Sequence, residues 1–525
     1  MMPSVELMPL SGRVTAFLAG VGSHVLYFRR GEHHTYGLFY MTLFTASLVT
    51  GTASLQSLHT SFSIHTSFLA GLYTSLIAYR LSPLHPLSKF PGPLHLRISA
   101  LCFSGRVGPR ADACKYVLDL HNRHGPIVRI GPNDLSAVRP DIVQLVHGNR
   151  SECTKNERYD LFKTKSLHTT RDKALHARRR RVWTPAFSGA AVKGYETRIR
   201  PYQDRLLSKC LDSARGPAGK TWIDVSREFS LYSSDVLGDL AFGTPVSRDP
   251  TQQTSTEALE ALMAGRRALA LMLPPWVFQL ALSIPGAAKG AKRWLRYCAE
   301  RMLERIESPP PDSDSDRMPD ISSALLAPSG GKKPADPDEM EMLVGDANLI
   351  FGAGRWELSP SFNKDSQTPT DSLCLLCSET TASTLTAVFY LLARHPEHFF
   401  RLKQEIMPLV DQHQGQIPDD SKLATLKHLN AVINEALRLF PPVMTMWTRK
   451  TPPQGLHLAD GTHIPGAVNI WTPQYAMGRS EANWTEANRF MPERWHDDAS
   501  SEVSANLKTA MAVYVPFSAG ELYLR

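Results

Sequence analysis

The first eighty residues limit the possible architecture more than any other stretch of this chain. Three apolar runs, about 14–28, 38–55 and 62–79, each approach the ~20 residues that span a bilayer. Ser, Thr and His interrupt all three, among them His24, Thr50 and His65, so none is a strong membrane signal. A cleaved signal peptide fits poorly, because apolar character continues well past any small-residue cleavage site. Arg29, Arg30, His33 and His34 lie between the first two runs, and Arg80 follows the third. Positive charge marks the cytosolic side of a span. The pattern predicts a membrane region of about three spans over 1–80, with the amino terminus in the lumen and the body in the cytosol. One or two spans, or a soluble amphipathic region, are the alternatives.

The stretch RLSPLHPLSKFPGPL (80–94) carries four prolines. Proline fixes φ and disfavours helix in the residue before it, so 81–94 reads as a stiff extended connector. SPPPDSDSDRMPD (308–320) and PSGGKKPADPDE (328–339) read as exposed linkers. No internal repeat is visible. Long helical patterns fill most of 95–525, with short strand-like pieces such as PIVRIGPNDLSAV (126–138) in the minority. The fold class is therefore mainly α with a minor β region. The net charge is +8, which suits an anionic membrane face or an acidic partner protein and equally an ordinary basic protein. Seven cysteines, at 102, 114, 153, 210, 298, 374 and 377, show no disulfide-framework spacing and suit a reducing compartment.

NEALRLFPPV (434–443) sets Glu435 and Arg438 at i, i+3 on one helical face. Alone, such a pair is a surface salt bridge. Here Pro441, Pro442 and TRKT (448–451) follow it, and RFMPERW (489–495) comes some fifty residues on. Arg494 from that second segment can join Glu435 and Arg438 in a buried charge network, whose usual role is to fix one geometry.

In order, the chain carries HPLSKFPGP, HARRRRVWTPAFS, an ETT segment, EALR, PERW and PFSAG. Each is weak alone, but their order and spacing resemble the cytochrome P-450 family of haem-thiolate monooxygenases, the membrane-bound fungal type in particular. The resemblance spans about 80–520. It implies a helical fold with a minor β region enclosing a b-type haem whose iron activates dioxygen. It further implies that His176 and Arg180, at i, i+4, and Arg449 bind the haem propionates, a task suited to guanidinium groups. The bland readings are a nucleic-acid or nuclear-targeting patch at Arg178–Arg181 and a solvated strand residue at Arg449. No nucleic-acid partner is expected, because the basic run sits inside the motif order.

The family's oxygen-activating helix carries Ala/Gly-Gly-x-Glu/Asp-Thr-Thr, and the resemblance assigns proton delivery to Glu379 and Thr380. In this sequence DANLIFGAG (346–354) and SETTASTLTAVFYLLARHPE (378–397) are separated by the 23 residues Arg355–Cys377. That insert holds two prolines and a polar run, which would break a helix. Its Cys374-Leu-Leu-Cys377 has no second pair nearby for a metal. Arg355-Trp356 can be encoded with a splice donor and Cys377-Ser378 with an acceptor, and excision keeps the frame. A retained intron is the expectation. The same holds at PFSAG (516–520), where the family's loop goes on to carry the axial cysteine. No cysteine follows Cys377, and Gly520-Glu521 can encode a splice donor, so ELYLR reads as read-through.

The resemblance implies a monooxygenase that inserts one oxygen atom of O2 into a lipophilic small molecule, plausible substrates being fungal specialised metabolites. Electrons would come from a membrane-bound NADPH-dependent flavoprotein reductase, with the chain in the endoplasmic reticulum membrane. Because the axial thiolate favours O–O cleavage, a chain without it is expected to be inactive as written. A catalytically dead pseudoenzyme is the second reading, and an unrelated receptor or transporter the third. The runs at 268–278 and 441–447 could line a pocket or be ordinary core. The sequons at Asn149 and Asn483 would face the cytosol and stay unglycosylated.

Overall fold

The computed structural model describes residues 10–517 apart from 149, 162–163, 215–222, 247–271, 309–317, 353–377, 414–417, 419, 445–447, 497–506 and 508. The insert at 355–377, the sequon at Asn149, residues 268–271 of the run at 268–278 and the segment after Phe517 lie outside the described residues.

The head of the chain forms three helices. These are α1 (Leu10–Ser23), continued by a π-helical turn at His24–Phe28, then α2 (Gly37–Leu55) and α3 (Leu58–Leu81). Ser57 caps α3, its hydroxyl accepting from the Thr60 amide at 3.3 Å. The polar residues that weaken the apolar runs are used between the helices. His24 Nδ1 meets Ser75 Oγ at 2.8 Å, Ser47 Oγ meets His65 Nε2 at 2.8 Å, and Ser61 donates to the Leu48 carbonyl at 3.1 Å. α1 lies along α3 through two glycines. Neither Gly20, against the Phe68 carbonyl, nor Gly71, against the Phe17 carbonyl, leaves room for a Cβ. Large apolar side chains such as Leu18, Leu26, Val49 and Leu58 point outward. Among the described residues α2 is the one helix long and apolar enough to cross a membrane by length and composition.

The proline-rich connector is partly core. Leu87 and Phe90 are buried with Leu135 and Ile470 of the main sheet, and the Pro91 carbonyl accepts from the Arg129 amide at 2.7 Å. Gly92, at φ +152°, sits hard against the Arg129 carbonyl, a place that no Cβ could take.

The body opens with α4 (Ala113–His124), β1 (Ile127–Arg129) and β2 (Asp134–Ala137). Helices α5 (Lys173–Trp183), α6 (Gly189–Ala214), α7 (Val225–Phe242), α8 (Pro275–Ser283), α9 (Lys289–Glu307) and α10 (Ile321–Leu326) follow. After them come α11 (Pro337–Gly352), α12 (Ser378–Arg394), α13 (Pro396–Gln412) and α14 (Lys427–Leu439). The strands that close the chain are β3 (Thr448–Lys450), β4 (Leu456–His457), β5 (His463–Ile464) and β6 (Asn469–Trp471).

The main sheet has the order β1-β2-β6-β3. β2 and β6 run parallel with Leu135 opposite Ile470, and β3 is antiparallel to β6 with Arg449 opposite Ile470. The largest core cluster lies among the helices, where Trp183, Trp294, Met302, Leu325 and Leu343 pack together. Both α11 and α12, the halves flanking the insert, pack on α7. One linker expectation is corrected. Asp320, read as exposed, is buried, caps α10 by accepting from the Ser323 amide at 2.8 Å, and pairs with Arg305 at 2.7 Å.

Candidate cofactor site

Asp172 starts α5 by accepting from the Ala174 and Leu175 amides, at 2.7 and 3.2 Å. The helical phase that follows turns His176 and Arg179 inward and leaves Arg178 and Arg181 exposed, with Arg180 half-buried between them. Beside His176 lie Lys155 and Arg449, both buried. Arg449 donates from Nη1 to the Tyr159 hydroxyl at 2.6 Å and to the Thr448 carbonyl at 2.9 Å. Lys155 Nζ reaches only backbone carbonyls, those of Leu167 at 3.1 Å and His168 at 2.6 Å. The solvated-strand reading of Arg449 therefore fails, since β3 places it in the interior.

This is a cradle of buried basic groups. Among the described residues no carboxylate pairs with Lys155, His176 or Arg449. Burial, and then Lys155, Arg180 and Arg449, push the His176 pKa down to about 4. Burial followed by Lys155, Arg449 and His176 takes His168 to about 3, and burial followed by Arg449 takes the Lys155 ammonium well below its usual range. An interior that depresses several bases at once is short of negative charge. A ligand bearing two carboxylates fits it. Sequence reasoning found His176, Arg180 and Arg449 but missed Lys155 and His168. A lysine inside TKNERYD gives no local signal, because only the fold carries it inward.

A second network centres on Glu435. Glu435, at 0% exposure, accepts from Arg438 through both carboxylate oxygens, at 2.7 and 2.8 Å, and from Arg494 Nε at 3.0 Å. The Trp495 indole and the Met491 amide add donors at 3.0 and 2.9 Å. Arg438 in turn donates to the carbonyls of Gly478, Ala487 and Arg489. The surface-salt-bridge reading of this pair fails. The network joins α14 to the 478–495 segment with nearly every polar atom matched, the condition under which buried charge is tolerated.

A third network was missed by the sequence reading. Asp346 of α11, fully buried, accepts from Arg179 Nε at 2.6 Å, Trp183 Nε1 at 2.9 Å and the Leu167 amide at 2.9 Å. Arg179 also pairs with Glu339. The only available signal was a lone acid on the apolar face shared by Leu343, Ala347 and Ile350.

Glu379 and Thr380 fall in the first turn of α12, directly after the 353–377 segment that lies outside the described residues. Thr380 is half-buried, and its carbonyl accepts from Thr384 Oγ1 at 2.7 Å.

Comparison with known proteins decides the family. The profile of the family described as Cytochrome P450 matches residues 92–354 and 364–521. The chain belongs to the cytochrome P450 family. A cytochrome P450 monooxygenase notG' of Aspergillus versicolor is 37% identical over 515 residues, covering 96% of this chain and 86% of the relative. Tryprostatin B 6-hydroxylase of Aspergillus fumigatus is 35% identical over 537 residues, covering 99% and 87%. A cytochrome P450 monooxygenase sthD of Phaeosphaeria nodorum is 35% identical over 458 residues, covering 86% of each chain. This P450 is therefore a monooxygenase, an enzyme of the haem-iron class, and its mainly helical body with small sheets is that of the family. Relatives of this kind serve fungal specialised metabolism. The cradle fits the family's cofactor at its carboxylate end, because haem carries two propionates and, among the described residues, no carboxylate pairs with Lys155, His176 or Arg449.

Proposed function

We propose that this P450 inserts one oxygen atom of dioxygen into a lipophilic small molecule of fungal specialised metabolism. The observation that carries the reading is the buried basic cluster of Lys155, His176 and Arg449, to which no carboxylate is paired among the described residues. In this reading Lys155, His176, Arg180 and Arg449 hold the two haem carboxylates, and Glu435, Arg438 and Arg494 fix the wall beside them. Haem, when bound, supplies the oxidising power. Glu379 passes protons inward from solvent, and Thr380 Oγ1 holds a water that hands them on. Electrons come from NADPH through a flavoprotein reductase, whose acidic face suits the net charge of +8. The body faces the cytosol at the endoplasmic reticulum membrane. The name of the Aspergillus fumigatus relative, tryprostatin B 6-hydroxylase, supports hydroxylation of a small molecule.

A second reading rests on the sequence itself. No cysteine occurs after Cys377, so the sulfur ligand of haem iron is assigned to no residue after the insert. The family match breaks after Gly354 and resumes at residue 364, within the 355–377 insert. On that interruption we propose, as the second reading, a pseudoenzyme or a mis-spliced product of an active gene. Carbon monoxide difference spectra on haem-supplied protein separate the readings. The chain as it stands should give no thiolate-type Soret band. A version lacking 355–377 and carrying a cysteine loop after Gly520 should give one. Hemin binding by neither protein would sink the cradle assignment itself. Sequencing the transcript across 345–385 and beyond 520 decides between mis-splicing and a true pseudoenzyme.

A further inference from the structure

The turn between α1 and α2 is bound to the body rather than free in solvent. The Glu32 carboxylate accepts from both terminal nitrogens of Arg171, at 2.7 and 2.8 Å, and from Lys450 Nζ. Two residues on, His34 Nε2 lies 2.9 Å from Asp160 Oδ2, which also accepts from Arg171 at 2.6 Å. Glu157 gives Lys450 a second acceptor at 3.4 Å. Next to this network α2, which begins at Gly37, packs on α8. Glu32, His34 and Asp160 are close enough to hold a metal ion by spacing alone. The Arg171 guanidinium, bonded to two of the three, already takes that place.

The partners of the turn border the cradle. Lys450 follows Arg449 in β3, Asp160 follows Tyr159 whose hydroxyl accepts from Arg449, and Arg171 stands at the approach to α5 and His176. An isolated surface ion pair contributes little. A half-buried fork in which Arg meets one carboxylate with two bonds and a second carboxylate with another is held more firmly. The Arg171 hydrogen bond, opposed by burial and joined by Lys450, holds the Glu32 carboxyl down to about 2, so it is charged at every physiological pH.

We propose that residues 29–36 form a second tether on the body's side of the membrane. Glu32 grips the segments that carry the cofactor cradle, so the membrane helices set the cradle's orientation as well as anchoring the chain. The connector at 82–94 holds the body at one point, and the turn adds a second point on the far side of α2 and α3 in sequence. The inference rests on reading α1 to α3 as membrane spans with both the turn and the body in the cytosol.

Two measurements on the full chain in sealed microsomes test it. First, Thr35→Cys, an exposed position in the turn, should react with a membrane-impermeant maleimide without detergent, as read by peptide mass spectrometry. Protection until detergent is added would overturn the topology, and the tether with it. Second, Glu32→Gln should speed amide hydrogen exchange by about tenfold at 30–36 and at 157–160, with α1 and α3 unchanged. If Glu32→Gln also loosens the helices, Arg171→Gln, outside the membrane region, must reproduce the loosening of the turn alone. Maleimide labelling of the Thr35→Cys variant, with unaltered exchange in both Glu32→Gln and Arg171→Gln, overturns the tether and leaves the topology standing. Loosened helices in both of those variants overturn it as well, since the ion network would then serve general folding.

Discussion

Arg494 reaches Glu435 across 59 positions of sequence, its Nε 3.0 Å from Oε1, at a point where neither side chain touches solvent. Arg438 already holds the same carboxylate in a two-bonded grip. Removing one member leaves a desolvated charge without its partner, at a cost of about 3–5 kcal/mol.

Glu435→Ala and Arg438→Ala should therefore each lower the urea midpoint of the body sharply and prevent haem incorporation. Arg489→Ala, which removes an exposed arginine paired only with Glu486, should lie within about 0.5 kcal/mol of the parent. Equal midpoints for Arg438→Ala and Arg489→Ala would contradict the assignment.

The Asp346 network predicts a non-additive pair. Asp346→Leu alone leaves the buried Arg179 guanidinium with the partly exposed Glu339 but without its buried carboxylate, and should cost about 3 kcal/mol. Adding Arg179→Met removes that under-paired charge and should recover part of the loss. Denaturation of the two single variants and the double variant supplies the coupling energy, and strict additivity would count against the contact.

Acid should weaken the body well above the carboxylate range. His176 and His121 titrate near 4 and His168 near 3, against an ordinary value near 6.5. Between pH 6.5 and 4 the unfolded chain holds protons that the folded chain refuses, so stability rises with pH there and levels off above 6.5. Urea midpoints at pH 7, 5.5 and 4.5 should fall in that order. Hemin binding near pH 6 should be accompanied by proton uptake, because anionic carboxylates favour the charged imidazoles of the cradle.

Deleting 355–377 should raise helical circular dichroism and resistance to protease. The flanking helices α11 and α12 pack on the same helix α7, and the removed sequence carries two prolines. No change in either measure would mean the segment is a tolerated loop.

In a haem-loaded, thiolate-bearing version, Thr380→Ala should leave NADPH consumption running while product falls and hydrogen peroxide accumulates. Unchanged product per NADPH would remove Thr380 from the proton path.

What the sequence disclosed followed the range over which each feature is encoded. Glu435 and Arg438 are one helical turn apart and the PERW segment is compact, so both announced themselves locally. The arginine run at 178–181 did not. Its four members look alike, and the phase set by the Asp172 cap, with Asp346 lying 167 positions away, selects Arg179 for the interior. Lys155 and His168 stayed hidden for the same reason, since nothing near them in sequence marks their burial. Histidines and serines that made the apolar runs look weak are the hydrogen-bonding contacts between α1, α2 and α3, which a hydropathy reading counts only as defects.

The pairing of Glu32 with Lys450 spans 418 residues. On a ribosome adding ~5–20 residues each second, the turn waits roughly 20–80 s for its partner to be made. The parallel contact of β2 with β6, across 335 residues, imposes a similar delay on the main sheet. The helices at the head of the chain are therefore made long before the body can close and, on the proposed reading of them as membrane spans, the emerging polypeptide matures beside a surface already fixed. Production systems that slow elongation late in the message, or supply chaperones at the membrane, act during that interval.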